Sequence, residues 1–297
     1  MELTAFNCHQ ALADGIRMVL NHGVETSSRN GRVLAIQEPV TIKYLNPQDR
    51  VLLSPTRDAN PFFHMAEAMW MLAGRNDLAT VEAYVSTFGQ YSDDGITLHG
   101  AYGHRWINHF GIDQLTELVT ELRTSGSRRA VLGMWDPRAD LPKLRTGGKD
   151  VPCNTHAYFA IRTDGKLDMT VCNRSNDAIF GCFGANLVHF SILQEYLASV
   201  LGVSVGKYCQ VTNNLHIYLD VVGPEKLEKI VSECDILAAG GPRISGSMDV
   251  LGDSALVMSE IWHTRRTGTQ PSASDFDRIP DPAWRMACLE WVERRRK

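Results

Sequence analysis

One of the seven cysteines in this chain sits where a thiol could do chemistry. Cys153 follows Pro152 at the end of a polar, glycine-rich stretch and directly precedes an alternating apolar segment. Such a position can present a sulfur at the floor of a cleft, and a guanidinium nearby would lower its pKa and raise the thiolate fraction. Cys8, Cys172, Cys182, Cys209, Cys234 and Cys288 lie within apolar runs and read as small core residues. His156 raises a Cys/His hydrolase reading, but three residues along a strand the two side chains would face opposite ways. Arg128-Arg129 before one strand and Arg174-Ser175 after another could hold a phosphate monoester. Taken singly, each reads as well as surface salt bridging. Asp177 and Asn186 flank FGCFG, whose glycines would let a flat ligand approach the backbone; a plain turn with a helix cap is the bland alternative. His216 and Tyr218 in NNLHIYLD would share a strand face and could meet one hydroxyl, although a satisfied core histidine explains them equally.

These residues need a frame. Residues 4–21 have the stripe of an amphipathic helix, and 22–32, which hold Arg29, are rich in turn formers. Val40, Ile42 and Tyr44 alternate as in a strand. Asn60-Pro61 opens a helix that runs to about Leu72 and contains Glu67. Residues 76–105 centre on a surface loop leading into a short element. Leu115, Leu118, Val119 and Leu122 predict a helix that stops at Ser125-Gly126. Arg129 to Trp135 read as a buried strand, and 136–152 as a polar loop. Residues 156–163 and 166–173 alternate around Asp164-Gly165, which suits a type I′ hairpin turn. A long apolar helix follows at 186–201, then a strand near 206–213, then helical patterns at 224–238, 253–266 and 282–296. The interleaving predicts one α+β domain over residues 1–297.

A chain of 297 residues can bury roughly three quarters of its unfolded surface without a staple. The net charge of −4 provides no global basic field, so no nucleic-acid partner is expected. ERRRK, residues 293–297, reads as a solvated, frayed helix end. No CxxC pair or zinc spacing occurs, so no metal is expected, and an odd cysteine count argues against a disulfide framework. A reducing cytoplasm follows, that of the host cell if the source is viral. The start lacks the pattern of a targeting segment, and no apolar stretch reaches membrane length.

Taken together, SRRAVLGMWDP, VPC, CNRSNDAIFG, GANLVHFSILQEY and NNLHIY resemble the thymidylate synthase family in order and spacing. Upstream, AEAMWMLAG and GAYGHRW are similar to that family's ELLWFLxG and PVYGxQWR. The resemblance covers most of residues 5–222 and is weakest over 223–297, a divergent helical part. It implies an α+β fold with a large mixed sheet flanked by helices, and a homodimer packed sheet to sheet. It implies that the Cys153 thiolate adds to C6 of a pyrimidine nucleotide, so that C5 attacks the methylene of 5,10-methylenetetrahydrofolate. C5 is not nucleophilic until something has added at C6. By the same resemblance Arg174, Ser175 and Arg29 hold the phosphate, with Arg128 and Arg129 reaching over from the other subunit. Asn186 reads the base, His216 and Tyr218 take the sugar 3′-hydroxyl, and Glu67 and Tyr102 order the water that moves protons. Asp177 and Gly181 lie on the folate side.

Several positions depart from the family pattern. Asn154 stands where the family usually has His, and Asn173 where it has Gln. One extra residue lies between Gly181 and Asn186. Phe88 falls near a folate-facing Trp of methylating members, and CLEWVERRRK lacks their apolar tail. Both changes favour water over hydride at the exocyclic methylene, which predicts a hydroxymethyl product, as in phage enzymes that make precursors of modified DNA. An Asn at position 186 matches the O4 acceptor and N3–H donor of uracil, whereas cytosine hydroxymethylases of the family carry Asp there. The expectation is therefore dUMP hydroxymethylation. Thymidylate synthesis and dCMP hydroxymethylation are the enzyme alternatives, and a silent nucleotide- or RNA-binding module is the non-enzyme one.

Overall fold

The computed structural model describes residues 1–240 and 246–296. The chain opens with strand β1 (Glu2–Ala5), helix α1 (Cys8–His22), strands β2 (Val24–Ser28), β3 (Gly31–Ala35) and β4 (Val40–Tyr44), and helix α2 (Pro61–Leu72). Three short helices and one strand follow: α3 (Leu78–Glu82), α4 (Tyr102–Ile107), α5 (Gln114–Leu122) and β5 (Val131–Gly133). Helix α6 (Pro137–Arg145) leads to the hairpin β6 (Asn154–Ile161) and β7 (Lys166–Asn173), then the short strand β8 (Asn176–Asp177). Helix α7 (Asn186–Leu201), β9 (Ser204–Thr212) and β10 (Leu215–Tyr218) complete the sheets. Helices α8 (Pro224–Ala239), α9 (Met248–Arg266), α10 (Ala273–Asp277) and α11 (Pro282–Arg294) end the chain.

The predicted α+β architecture is present, with two sheets where one large mixed sheet was expected. A six-stranded mixed sheet runs β1-β4-β9-β7-β6-β5, and a four-stranded one runs β2-β3-β10-β8. In the larger sheet Ala157, Phe159, Leu167, Met169, Val171 and Tyr208 point into the core. They meet Leu187, Phe190, Leu193 and Leu197 of α7. Burying each of the Phe, Leu, Met and Val side chains among them stabilises the fold by roughly 1.5–3 kcal/mol. The opposite face, with Lys207, Cys209, Cys172, His156 and Tyr158, stays half open, as alternation dictates. Cys172 and Cys209 are therefore not core cysteines, unlike Cys8, Cys182, Cys234 and Cys288.

Local chemistry sets the element ends. The Asn60 side chain accepts from the Phe63 N–H at 3.3 Å and Pro61 takes the first helical position, as predicted. Helix α7 stops at Gly202, whose φ of +70° only glycine adopts freely. The amphipathic stripe over 4–21 is split: residues 2–5 pair with β4, and Asn7 caps the helix by accepting from Gln10 N–H. The turn-rich 22–32 segment is a hairpin, β2 against β3, with Arg29 at its tip. The predicted polar loop 136–152 contains α6, and the strand expected over 129–135 is three residues long. At the β6–β7 turn only Gly165 has positive φ, and its N–H donates to the Arg162 carbonyl. This is a type I turn with a glycine bulge, not the type I′ turn expected.

The C-terminal helices build a second core on α2. Phe62 and Met65 meet Trp262, Trp284 and Trp291, and the Trp262 and Trp291 rings lie 5.9 Å apart. The run read as a solvated helix end is engaged. The Arg295 guanidinium lies 3.6 Å above the Trp291 ring and pairs with Asp58 at 2.6 Å, joined by Arg294 at 3.5 Å. Lys297 lies outside the described residues. Among the described residues, no helix is long and apolar enough to cross a membrane.

Candidate active site

Cys153 is half-buried at the entry to β6. The Tyr102 hydroxyl accepts from the backbone N–H groups of Cys153 (3.2 Å) and Asn154 (3.3 Å), so one side chain from α4 fixes the thiol-bearing peptide. Arg174, just past β7, donates from Nε to the Pro152 carbonyl and from Nη2 to the Val151 carbonyl, each at 2.8 Å. On the other side, Asn186 opens α7, and its Oδ1 accepts from Asn154 Nδ2 at 3.4 Å. The segment that carries the thiol is thus held by Arg174 on one side and, through Asn154, by Asn186 on the other. Its pKa runs against the simplest expectation. Burial pushes the thiol above its ordinary value, and Asp150 adds to this; Arg174 and Arg29 pull it down without prevailing. The His156 ring is engaged by the Thr155 hydroxyl at 3.0 Å and packs on Tyr158, so no Cys/His pair forms with Cys153.

The residues expected to hold the phosphate and the sugar fall into three groups. Arg29 reaches from the hairpin tip to the Gly148 (3.3 Å) and Lys149 (3.4 Å) carbonyls, beside the loop that delivers Cys153. His216 and Tyr218 share a face of β10 with ring centroids 4.9 Å apart, and Ser175 lies between β7 and β8. Arg128 and Arg129 stand apart. Both are exposed ahead of the edge strand β5, and Arg129 pairs with Glu121 at 3.0 Å. Neither shares a hydrogen bond with the Cys153 group among the described residues.

A cleft of about 770 Å³ opens between Arg29, Tyr91, Lys149, Asp177, Phe180 and Tyr218. Asp177 on its wall pairs in register with His216. Burial raises the Asp177 pKa, opposed by the Phe180 N–H, His216 and Arg57. Burial lowers His216, and Asp177 pulls it back. Oδ2 of Asp177 has no protein partner, so a donor on a ligand could take it. Across Tyr91, which lines both, a cavity of about 160 Å³ is bordered by Glu67, Phe88, Tyr102 and Asp150. Phe88 packs on Phe63 and Tyr91 at 5.4 and 5.5 Å. Gly181 lies against the amides behind Cys153: a methyl there would sit 2.5 Å from Asn176 Oδ1.

Three site residues escaped the sequence reading. Nε2 of His189 comes within 3.0 Å of Glu67 Oε2, without a hydrogen bond's alignment. Its position one helical turn after Asn186 was the available signal. Arg57 lies beneath Phe180, its guanidinium 4.6 Å from the ring, with its pKa lowered by burial to about 10. Asp150, raised by burial, accepts from the Gly100 N–H at 2.7 Å. Neither carried a local pattern.

Residues 10–234 match the family model described as thymidylate synthase. A deoxyuridylate hydroxymethyltransferase of Pseudomonas phage M6 is 40% identical, over 98% of this chain and 93% of its own length. One from Bacillus phage SP01 is 39% identical, over 74% of this chain and 60% of that protein. A putative thymidylate synthase of Methanothermobacter thermautotrophicus is 39% identical over a shorter stretch, 39% of this chain and 50% of its own.

Proposed function

Because the chain belongs to the thymidylate synthase family of one-carbon transferases, we propose that it converts dUMP to 5-hydroxymethyl-dUMP, with 5,10-methylenetetrahydrofolate supplying the one-carbon unit. The observation that carries the reading is the bracketing of Cys153 by Arg174 on one side and the Asn154–Asn186 contact on the other. Arg174, Arg29 and Ser175 receive the phosphate, and Arg174 exchanges backbone carbonyls for phosphate oxygens as it does so. Asn186 meets the base, and His216 with Tyr218 the sugar. The Cys153 sulfur bonds to C6, which makes C5 a carbon nucleophile for the one-carbon unit. Asp177, whose buried Oδ2 lacks a partner, and Phe180, exposed on the cleft rim, fit a flat heterocycle with N–H donors.

The C5 proton then leaves and the bond from the methylene carbon to the folate nitrogen breaks, releasing tetrahydrofolate and leaving an exocyclic methylene on the pyrimidine. Water adds there, its oxygen bonding to the methylene carbon and its spare proton passing to the polar groups around Glu67; the electron pair returned to C5 then expels the sulfur from C6 as thiolate. The cavity beside Glu67 has room for that water and polar groups to hold it. The working unit is one catalytic domain, paired as a homodimer through the half-open sheet face, with Arg128 and Arg129 completing the neighbour's site. It acts in a reducing cytoplasm on free nucleotides bound for modified DNA. Mass spectrometry of the product from dUMP and methylenetetrahydrofolate tests the chemistry. A hydroxymethyl product with tetrahydrofolate released is expected; 5-methyl-dUMP with dihydrofolate accumulating overturns it.

A further inference from the structure

Two departures from the family pattern, Asn154 and Asn173, touch each other. Asn173 at the end of β7 donates from Nδ2 to Oδ1 of Asn154 across the β6–β7 pair. Asn154 Nδ2 donates to Oδ1 of Asn186 at 3.4 Å, and Asn186 Nδ2 donates to Oδ1 of Asn176 at 2.9 Å. Asn176 Nδ2 donates to Oε1 of Gln210 at 3.1 Å. Gln210 Nε2 donates to the Cys182 carbonyl at 2.8 Å and to the Tyr44 hydroxyl at 3.1 Å. All five amides are buried, and Asn154 and Gln210 wholly so. An amide alone can be turned end for end, but this series cannot. The Cys182 carbonyl only accepts, so Gln210 must face it with nitrogen, and every amide upstream must then point the same way. Reversing one member sets two oxygens or two N–H groups face to face in a dry interior, which costs about 1–3 kcal/mol per unmet group.

We infer that this unidirectional amide relay, ending on the Cys182 carbonyl, fixes the polarity of Asn186 and so makes the site read uracil against cytosine. The inference rests on the reading of Asn186 as the base-facing amide. With one lone pair of Oδ1 and one hydrogen of Nδ2 held by the relay, Asn186 keeps a second lone pair and a second hydrogen for the base. They match N3–H and O4 of uracil and oppose N3 and the 4-amino group of cytosine. Asn154, Asn173, Asn176 and Gln210 are positioning residues that act through Asn186. Gly181 belongs with them, because any side chain there would strike Asn176 Oδ1.

The test is the ratio of dUMP to dCMP affinity, read by calorimetry on the full-length chain and independent of turnover. The wild type is expected to favour dUMP. Asn176→Leu, which cuts the relay, is expected to lower that preference at least about tenfold. Asn176→Asp, protonated in its buried place, keeps an acceptor toward Asn186 and a donor toward Gln210, and is expected to stay within about threefold of wild type. Gln210→Leu cuts the relay between Asn176 and the Cys182 carbonyl and serves if Asn176→Leu does not fold. A wild type without preference for dUMP overturns the relay. So does a folded Asn176→Leu or Gln210→Leu that keeps the preference, or equal loss in Asn176→Asp and Asn176→Leu. A wild type that prefers dUMP but yields no hydroxymethyl product counts against the proposed reaction and leaves the relay standing.

Discussion

At the scale of single residues, Cys153 shows how an environment can oppose a simple sequence rule. Its thiol sits among arginines, yet burial raises its pKa. The thiolate is the reactive form, so a raised pKa delays reactivity to higher pH. Alkylation of Cys153 by iodoacetamide, followed by peptide mass spectrometry, should climb about tenfold per pH unit and keep climbing past pH 9. A plateau reached below pH 8 would show a thiol activated before any nucleotide arrives. Proximity of Arg174 was legible from NRS following the hairpin. Its commitment to the Val151 and Pro152 carbonyls was not, because those bonds depend on how the loop before Cys153 closes.

Among the elements, α2 carries the clearest consequence. His64 on this helix is fully enclosed, and burial, with Arg57 and His189 nearby, holds its pKa well below 6.5. The unfolded chain binds a proton at His64 as pH falls through about 6.5 while the folded chain does not, so acid favours unfolding. Urea denaturation should show stability falling from pH 7 toward pH 5, by at most about 1.4 kcal/mol per pH unit from this one group. His64→Leu should flatten the slope; an unchanged slope would place the effect elsewhere. The helix itself was legible because Asn60-Pro61 and the apolar stripe agree. Other elements were hidden for identifiable reasons. Strand β2, VETSS, is exposed throughout and lacks apolar alternation. Helix α6 contains Pro142, a residue that argues against helix, and is held instead by the Asp136 cap and by its own Asp140. Buried Asp140 pairs twice with Arg105, at 2.7 and 2.9 Å, a contact between segments far apart in sequence.

For the whole molecule, the half-open sheet face is the feature that single elements do not explain. Val131 and Tyr158 are 48% and 47% exposed there, beside Cys172 and Cys209. Arg128 and Arg129 project ahead of the same edge without joining their own cleft. If a second copy covers this face and receives those arginines, two defective chains should repair each other. Mixing Cys153→Ser with Arg129→Ala should restore about a quarter of wild-type turnover, since half of the pairs are mixed and each holds one intact site. No recovery after subunit exchange would confine each site to one chain. Length and interleaved patterns pointed to one α+β unit, whereas the division into two sheets and two apolar cores depends on pairings distant in sequence. At the far end, Arg294 and Arg295 hold Asp58, a non-glycine residue in a left-handed conformation at φ 51°. The next residue back is Arg57, lying under Phe180 at the lip of the cleft. The last helix is thereby moored one residue away from the lip, so a substitution that frees Arg295 from Asp58 is expected to loosen the footing of Phe180 as well.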